Sequence, residues 1–185
     1  MEPTRVQGAA ACDMIIRPYR AEDRAACKWV FYRAVREGAA AFYSEAERAV
    51  WAASPEPDLS VADKLLDQWA WVSEDDNGQI TGFISLRRDG YLDMAFVLPE
   101  MMGKGAAAAL YEAVLAQAGT AGFERLTVHA SHLARRFFEK RGWKVDAVED
   151  YPVADQKLRR FCMSLGLGRT RPVLTASGKR RPIWQ

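Results

Sequence analysis

Apolar and polar positions along this chain switch between two periods. From Met14 the run MIIRPYRAED opens with a short apolar strand and turns polar where a helix can begin. Between Asp23 and Glu37 apolar residues return at helical spacing, at Ala26, Trp29, Val30 and Ala34, and Gly38 supplies the stop. Ser44 and Glu47 form an S-x-x-E capping box, which starts a second helix in YSEAERAVWAAS. Pro55 and Pro57 mark a loop. The period then shortens. Trp69 to Glu74 reads as a strand, DDNG at 75–78 as a hairpin turn, and Gln79 to Arg87 as a second strand. Asp89-Gly90 is another turn, and Tyr91 to Leu98 a third strand of the same antiparallel meander.

The helical period comes back in PEMMGKGAAAALYEAVLAQA, from Pro99 to Ala118. GTAGFE is a turn, and RLTVHA at 125–130 a strand. Leu133 to Arg141 reads as a short helix closed by Gly142. WKVDAVEDYPV and LRRFCMSLGL read as two final strands. Helices therefore interrupt a mixed, mostly antiparallel sheet of about six to seven strands with about four helices, an α+β or α/β class. The folded domain is expected over residues 14–167, with Met14 near its start. Residues 1–13 read as a disordered N-terminal extension, and 168–185 as a basic C-terminal tail.

Composition narrows the class. A chain of 185 residues, 49% hydrophobic and 27% charged, suits one soluble domain with a core. The net charge of +2 is unevenly spread. The tail holds Arg169, Arg171, Lys179, Arg180 and Arg181 and no acid; in the rest of the chain acids outnumber bases. Lys179 to Arg181 with Trp184 could hold nucleic acid, but a solvated tail has the same composition, so nucleic acid is not expected. The three cysteines, Cys12, Cys27 and Cys162, show no CxxC or CxxH spacing. No metal is expected, and nothing in the spacing pairs Cys162 with a histidine. With no membrane-length apolar run and no apolar core near the N-terminus, a cytoplasmic protein is the expectation.

Gly103 and Gly105 sit where a helix begins. Helix N-termini present amides without intrahelical partners and a partial positive charge, which together hold anions. Tight packing of a helix start would use the same small residues, so both readings stay open here. The phosphate loop G-x-x-x-x-G-K-[ST] is absent. A G-x-G-x-x-G fingerprint would need glycine where Ala108 stands, and a parallel βαβ unit where a hairpin meander precedes.

Taken together, these segments resemble the GCN5-related N-acetyltransferase (GNAT) superfamily. Its acetyl-CoA signature, Q/R-x-x-G-x-G/A, falls on Met102, Gly103, Lys104, Gly105, Ala106 and Ala107. Gly105 and Ala107 match, and Met102 replaces the usual Gln or Arg. The preceding FVLPE is similar to the family's V-x-P strand end. A second signature, N-x-x-A-x-x-x-[FY]-E-[KR]-x-G-[FW], reads S-H-L-A-R-R-F-F-E-K-R-G-W from Ser131 to Trp143. Ala134, Glu139, Lys140, Gly142 and Trp143 fit; Ser131 stands for Asn and Phe138 for the common Tyr. MIIRPYRAED and FCMSLGL resemble the first and last strands, and YSEAERAVWA a bacterial subgroup.

The resemblance implies a sheet splayed between the fourth and fifth strands, with the pantetheine arm of acetyl-CoA in the gap. Backbone groups of Phe96, Val97 and Leu98 would bond that arm, and amides from Gly103 to Ala108 would hold the pyrophosphate. Met102, Ser131 and Phe138 fall at family cofactor positions. The implied reaction moves acetyl directly to a primary amine, of a small molecule or a peptide, in a ternary complex. Asp93 is the candidate base, since a partly buried carboxylate on the fourth strand can accept the amine's proton. His129 and His132 flank the splay and either could shuttle protons; His132 is taken as the candidate, and His129 reads more as structural. Tyr91, Tyr43 and Tyr151 are conceivable acids in place of the missing tyrosine. Tyr43 and Trp51 are candidate acceptor contacts. Homodimers are common in the superfamily. The three departures at Met102, Ser131 and Phe138 leave an alternative, a catalytically weak acyl-CoA-binding sensor on the same fold.

Overall fold

The two hairpin turns organise the middle of the sheet. In a computed structural model, which describes residues 4–7, 13–57 and 63–168, Asp75 accepts hydrogen bonds from the amides of Asn77 and Gln79. That closes β3 (Trp69–Glu74) onto β4 (Ile80–Leu86). Gly90 turns β4 into β5 (Tyr91–Val97) at φ +83°, and its backbone lies so close to β6 (Arg125–Ala130) that a Cβ would stand 3.1 Å from the Arg125 carbonyl. Only glycine meets both demands.

Among the described residues, eight strands form one sheet in the order β1-β2-β3-β4-β5-β6-β8-β7. The outer members are β1 (Thr4–Gln7), β2 (Asp13–Pro18), β7 (Lys144–Val153) and β8 (Gln156–Gly166). Every neighbouring pair is antiparallel except β5 and β6. The mixed sheet expected from the sequence is present, and its parallel pair is the fourth and fifth strands counted from Met14. One strand was not expected. Thr4–Gln7, read as part of a disordered extension, pairs with Asp13–Ile16. The basic tail from Arg169 onward lies outside the described residues.

Four α-helices cover the two faces. Helix α1 (Arg24–Arg33) runs into a wider π-helical turn at Ala34–Gly38. Helix α2 (Glu45–Trp51) has the reciprocal capping box predicted for it: Ser44 Oγ accepts from Glu47 N–H, and Glu47 accepts from Ser44 N–H. Helix α3 (Ala106–Ala121) and helix α4 (His132–Glu139) follow β5 and β6. Leu110 and Val114 of α3 pack with Leu86, Leu92 and Leu126 in the larger core. Each such side chain contributes about 1.5–3 kcal/mol by leaving water. Cys27 and Val30 of α1 pack on the other face against Val72 and Phe83. Among the described residues no helix is long and apolar enough to cross a membrane.

The start of α1 is tied to the sheet by charge. Arg17 on β2 makes two 2.7 Å hydrogen bonds to buried Asp23 and one to Glu74 on β3, and Asp23 accepts from Arg20 N–H. Burial would raise the Asp23 carboxyl, but the Arg17 and Arg20 hydrogen bonds outweigh it and hold it below its ordinary range. A group lowered in the fold stabilises above its unfolded pKa and loses that contribution as pH falls through the lower folded value. Asp23→Ala leaves Arg17 partly uncompensated and is expected to cost about 3 kcal/mol. Urea midpoints at pH 7 and near pH 2 check this: the wild-type advantage should shrink at the lower pH.

Candidate active site

The parallel pairing of β5 with β6 lasts for two positions, Tyr91 with Thr127 and Leu92 with Val128. Asp93 is the extra residue of a bulge, because Leu86 and Ser85 of β4 face Leu92 and Met94. A bulge bends its strand and ends regular pairing. Beyond it, β5 keeps β4 on one side and has no strand partner on the other. Antiparallel backbone groups alternate in direction. Leu98 N–H donates to Thr81 C=O at 2.8 Å, which directs Leu98, and by alternation Phe96, toward β4. Ala95 and Val97 therefore turn their amides and carbonyls to the open side. Of the three residues expected to bond a pantetheine arm, only Val97 presents its backbone there, and Ala95 joins it.

An apolar cavity of about 230 Å³ fills the gap. Ala95, Ala107 and Ala134 line it, and their short side chains leave the room; Val97, Leu110 and Phe138 complete its walls. The start of α3 stands at one end. Gly103 and Gly105 have φ of +78° and +95°, and a Cβ on either would meet nothing within 4 Å. The packing reading of these glycines fails, since nothing packs against them. Their left-handed backbone opens the first turn of α3 instead. Ala109 N–H donates to Gly105 C=O at 2.9 Å, so the amides of Ala106, Ala107 and Ala108 precede that first α-helical bond. Lys104 is exposed in the same turn. Met102 lines the cavity, and its methyl crowds Gly38: a Cβ there would come within 2.5 Å of it.

A polar groove flanks the same break. Val128 and Ala130 of β6 face the larger core, so Thr127 and His129 alternate to the opposite face. They line the groove with Arg87, Asp89, Tyr91 and Asp93. The Tyr91 hydroxyl and His129 Nδ1 are 2.9 Å apart. Gln68 donates to Asp93 Oδ2 at 2.8 Å. Burial, and then the charge of Asp93, push the Tyr91 hydroxyl above its ordinary pKa. Burial, and then the Arg160 guanidinium, pull His129 below its ordinary value, against a smaller opposite pull from Glu149. At neutral pH the pair is thus a protonated phenol beside an uncharged imidazole: one donor and one acceptor.

The predicted site residues divide between these places. Asp93 lies in the groove. His132, paired with it as a catalytic candidate, does not line it. Its ring stacks on Phe42 and meets Tyr43 and Phe161 edge-on, which makes it an aromatic packing element. His129, read as structural, is the histidine that reaches the groove. The Tyr43 hydroxyl donates to Arg159 C=O at 2.7 Å and accepts from His132 N–H, so it ties the start of α4 to β8 and does not line the cavity. Trp51 lines the cavity beside it. Ser131 also lines the cavity, while its hydroxyl caps α4 by accepting from Ala134 N–H. Phe138 is buried against Trp143 and forms cavity wall.

A sheet broken at one parallel pair, with a helix N-terminus at the mouth of the gap, is the arrangement that the GNAT resemblance implies. The comparisons agree. The family model described as the GNAT acetyltransferase domain matches residues 37–165. The uncharacterized N-acetyltransferase YafP of Escherichia coli K12 is 36% identical over 129 residues, 70% of this chain and 80% of that protein. A GCN5-related N-acetyltransferase structure from Rhodopseudomonas palustris is 28% identical, with a TM-score of 0.77 over 89% of this chain and 98% of that one. The PaiA N-acetyltransferase of Thermoplasma acidophilum, solved with coenzyme A, shares the fold at 20% identity and a TM-score of 0.64 over 83% and 99% of the two chains. The chain belongs to the GNAT family of acetyl-CoA-dependent acetyltransferases.

Because space is free around Gly105, its replacement by alanine costs only backbone strain. Gly105→Ala is expected to lower stability by about 1–2 kcal/mol, read from thermal or urea unfolding of the ligand-free protein.

Proposed function

We propose that this enzyme transfers acetyl from acetyl-CoA to a primary amine, of a small molecule or a peptide, by direct attack in a ternary complex. The observation that carries this reading is the meeting of two unlike compartments at one break in the sheet. The apolar cavity suits a pantetheine arm, and the groove beside it carries the carboxylate, phenol and imidazole. The Ala95 and Val97 backbone groups, costly to leave dry and unpaired at about 1–3 kcal/mol each, would pair with the amides of the arm as an added strand. The Gly103–Ala108 turn would hold the pyrophosphate.

In the reaction, the acceptor ammonium pairs with Asp93 and gives it a proton. The freed amine attacks the thioester carbonyl, the C–S bond breaks, and acetyl stays on nitrogen. The leaving thiolate takes a proton from Tyr91, which His129 holds in place, and the proton left on the acetylated nitrogen returns to the Tyr91 oxygen. Tyr91 thus fills the acid role left empty by Phe138, on a different strand. Arg87 pairs with Asp89 at 2.6 Å, so Asp93 is the carboxylate of the groove left to favour a cationic acceptor.

Acetyl-CoA at about a hundred times its Kd is expected to add roughly 2.7 kcal/mol to the folded state. Thermal unfolding should show this for the wild type and not for a folded Gly105→Glu variant, whose carboxylate repels the pyrophosphate. No shift in the wild type would overturn the cofactor assignment. With an accepted amine, Asp93→Asn and Tyr91→Phe are each expected to lower kcat/KM about 10²-fold or more. Unchanged values would remove these residues from the proton path.

A further inference from the structure

Beside the groove, three strands bring a histidine, a glutamate and a cysteine to one face of the sheet. His129 of β6 is the register partner of Cys162 of β8, and β7, on the other side of β8, supplies Glu149. The sequence spacing gave Cys162 no histidine; the strand register gives it one. A ligand atom from each of the three lies within 4.8 Å of the others, the one such group among the described residues. Burial and the nearby Glu149 carboxylate both push the Cys162 thiol up. An unactivated thiol of this kind is a poor nucleophile at neutral pH, which sets covalent acetyl transfer through Cys162 aside. What the arrangement lacks is a positive charge between two groups that are both anionic when deprotonated. Arg160, 2.8 Å from Glu149, supplies it from one side only.

We propose that His129, Glu149 and Cys162 form a binding site for a borderline-soft divalent cation of the Zn²⁺ type. The donor set of imidazole nitrogen, carboxylate oxygen and thiolate sulfur is the one such ions take, and tetrahedral coordination places donors about 3.5 Å apart. The backbone positions are fixed by strand pairing, so side-chain rotation alone draws the three donors in. Tyr91 holds Nδ1 of His129 and leaves Nε2 to ligate, with the phenol as the outer partner that orients the ring. The cation deprotonates Cys162 outright and replaces Arg160 at Glu149. The face is open, so water completes the coordination.

The test titrates the full chain, freed of metal, with Co²⁺ as a coloured stand-in and then with Zn²⁺ in competition. Cys12→Ser serves as the parent, so that only Cys27, which is buried, and Cys162 remain. One ion per chain is expected, with a thiolate-to-cobalt absorption band and release of a proton from Cys162. The band should vanish in Cys162→Ser, and affinity should fall about tenfold or more in Glu149→Gln and in Tyr91→Phe. Circular dichroism confirms that each variant is folded. A parent without the band, or a band of equal strength in Cys162→Ser, overturns the proposal. The readout does not depend on acetyl transfer.

Discussion

The parallel contact between β5 and β6, held for two residue pairs and then abandoned, is the constraint on which the rest depends. Two local features set its length. Gly90 lets the β4–β5 turn press against β6, and its carbonyl accepts from Thr127 N–H at 3.1 Å, so the pair begins in register. The bulge at Asp93 then redirects β5, and the pair cannot continue. The gap leaves backbone groups of Ala95 and Val97 exposed to whatever enters, and buried backbone groups are rarely left unpaired.

From that break the two sides acquire different chemistry by strand alternation. Residues of β6 that face α3 and α4 are apolar, and those that face away are Thr127 and His129. The alanines of α3 and α4 keep one side hollow, while Tyr91, Asp93 and His129 make the other side polar. The catalytic groups of the usual family pattern are partly absent, since Phe138 cannot donate a proton. In the proposed mechanism the hydroxyl comes instead from Tyr91, whose place beside His129 follows from the same short parallel register.

Much of the architecture was legible because it is local. The capping box at Ser44 and Glu47, the turns at Asp75 and Asp89, and the strand RLTVHA depend on neighbours within a few residues, and each formed where the pattern put it. The glycines at 103 and 105 were ambiguous in sequence, because packing and ligand approach call for the same residue. The empty space around them settled the first half of that question. Thr4–Gln7 escaped notice because an edge strand of four residues is too short to show a period.

From Met14 onward the sequence by itself determined the element order, the mixed sheet and the family resemblance, because periodicity, caps and two motifs are written in adjacent residues. It also marked Asp93. Only the tertiary structure decided which histidine reaches the groove. His129 and His132 are three residues apart, yet a strand turns one into the groove and a helix start packs the other among aromatic rings. It likewise decided that Ala95 rather than Phe96 offers its backbone, and that Cys162 faces His129 across 33 positions of chain. The physical reason is the same in each case: register and strand direction are set by pairings between distant segments, and a shift of one residue moves a side chain to the other face.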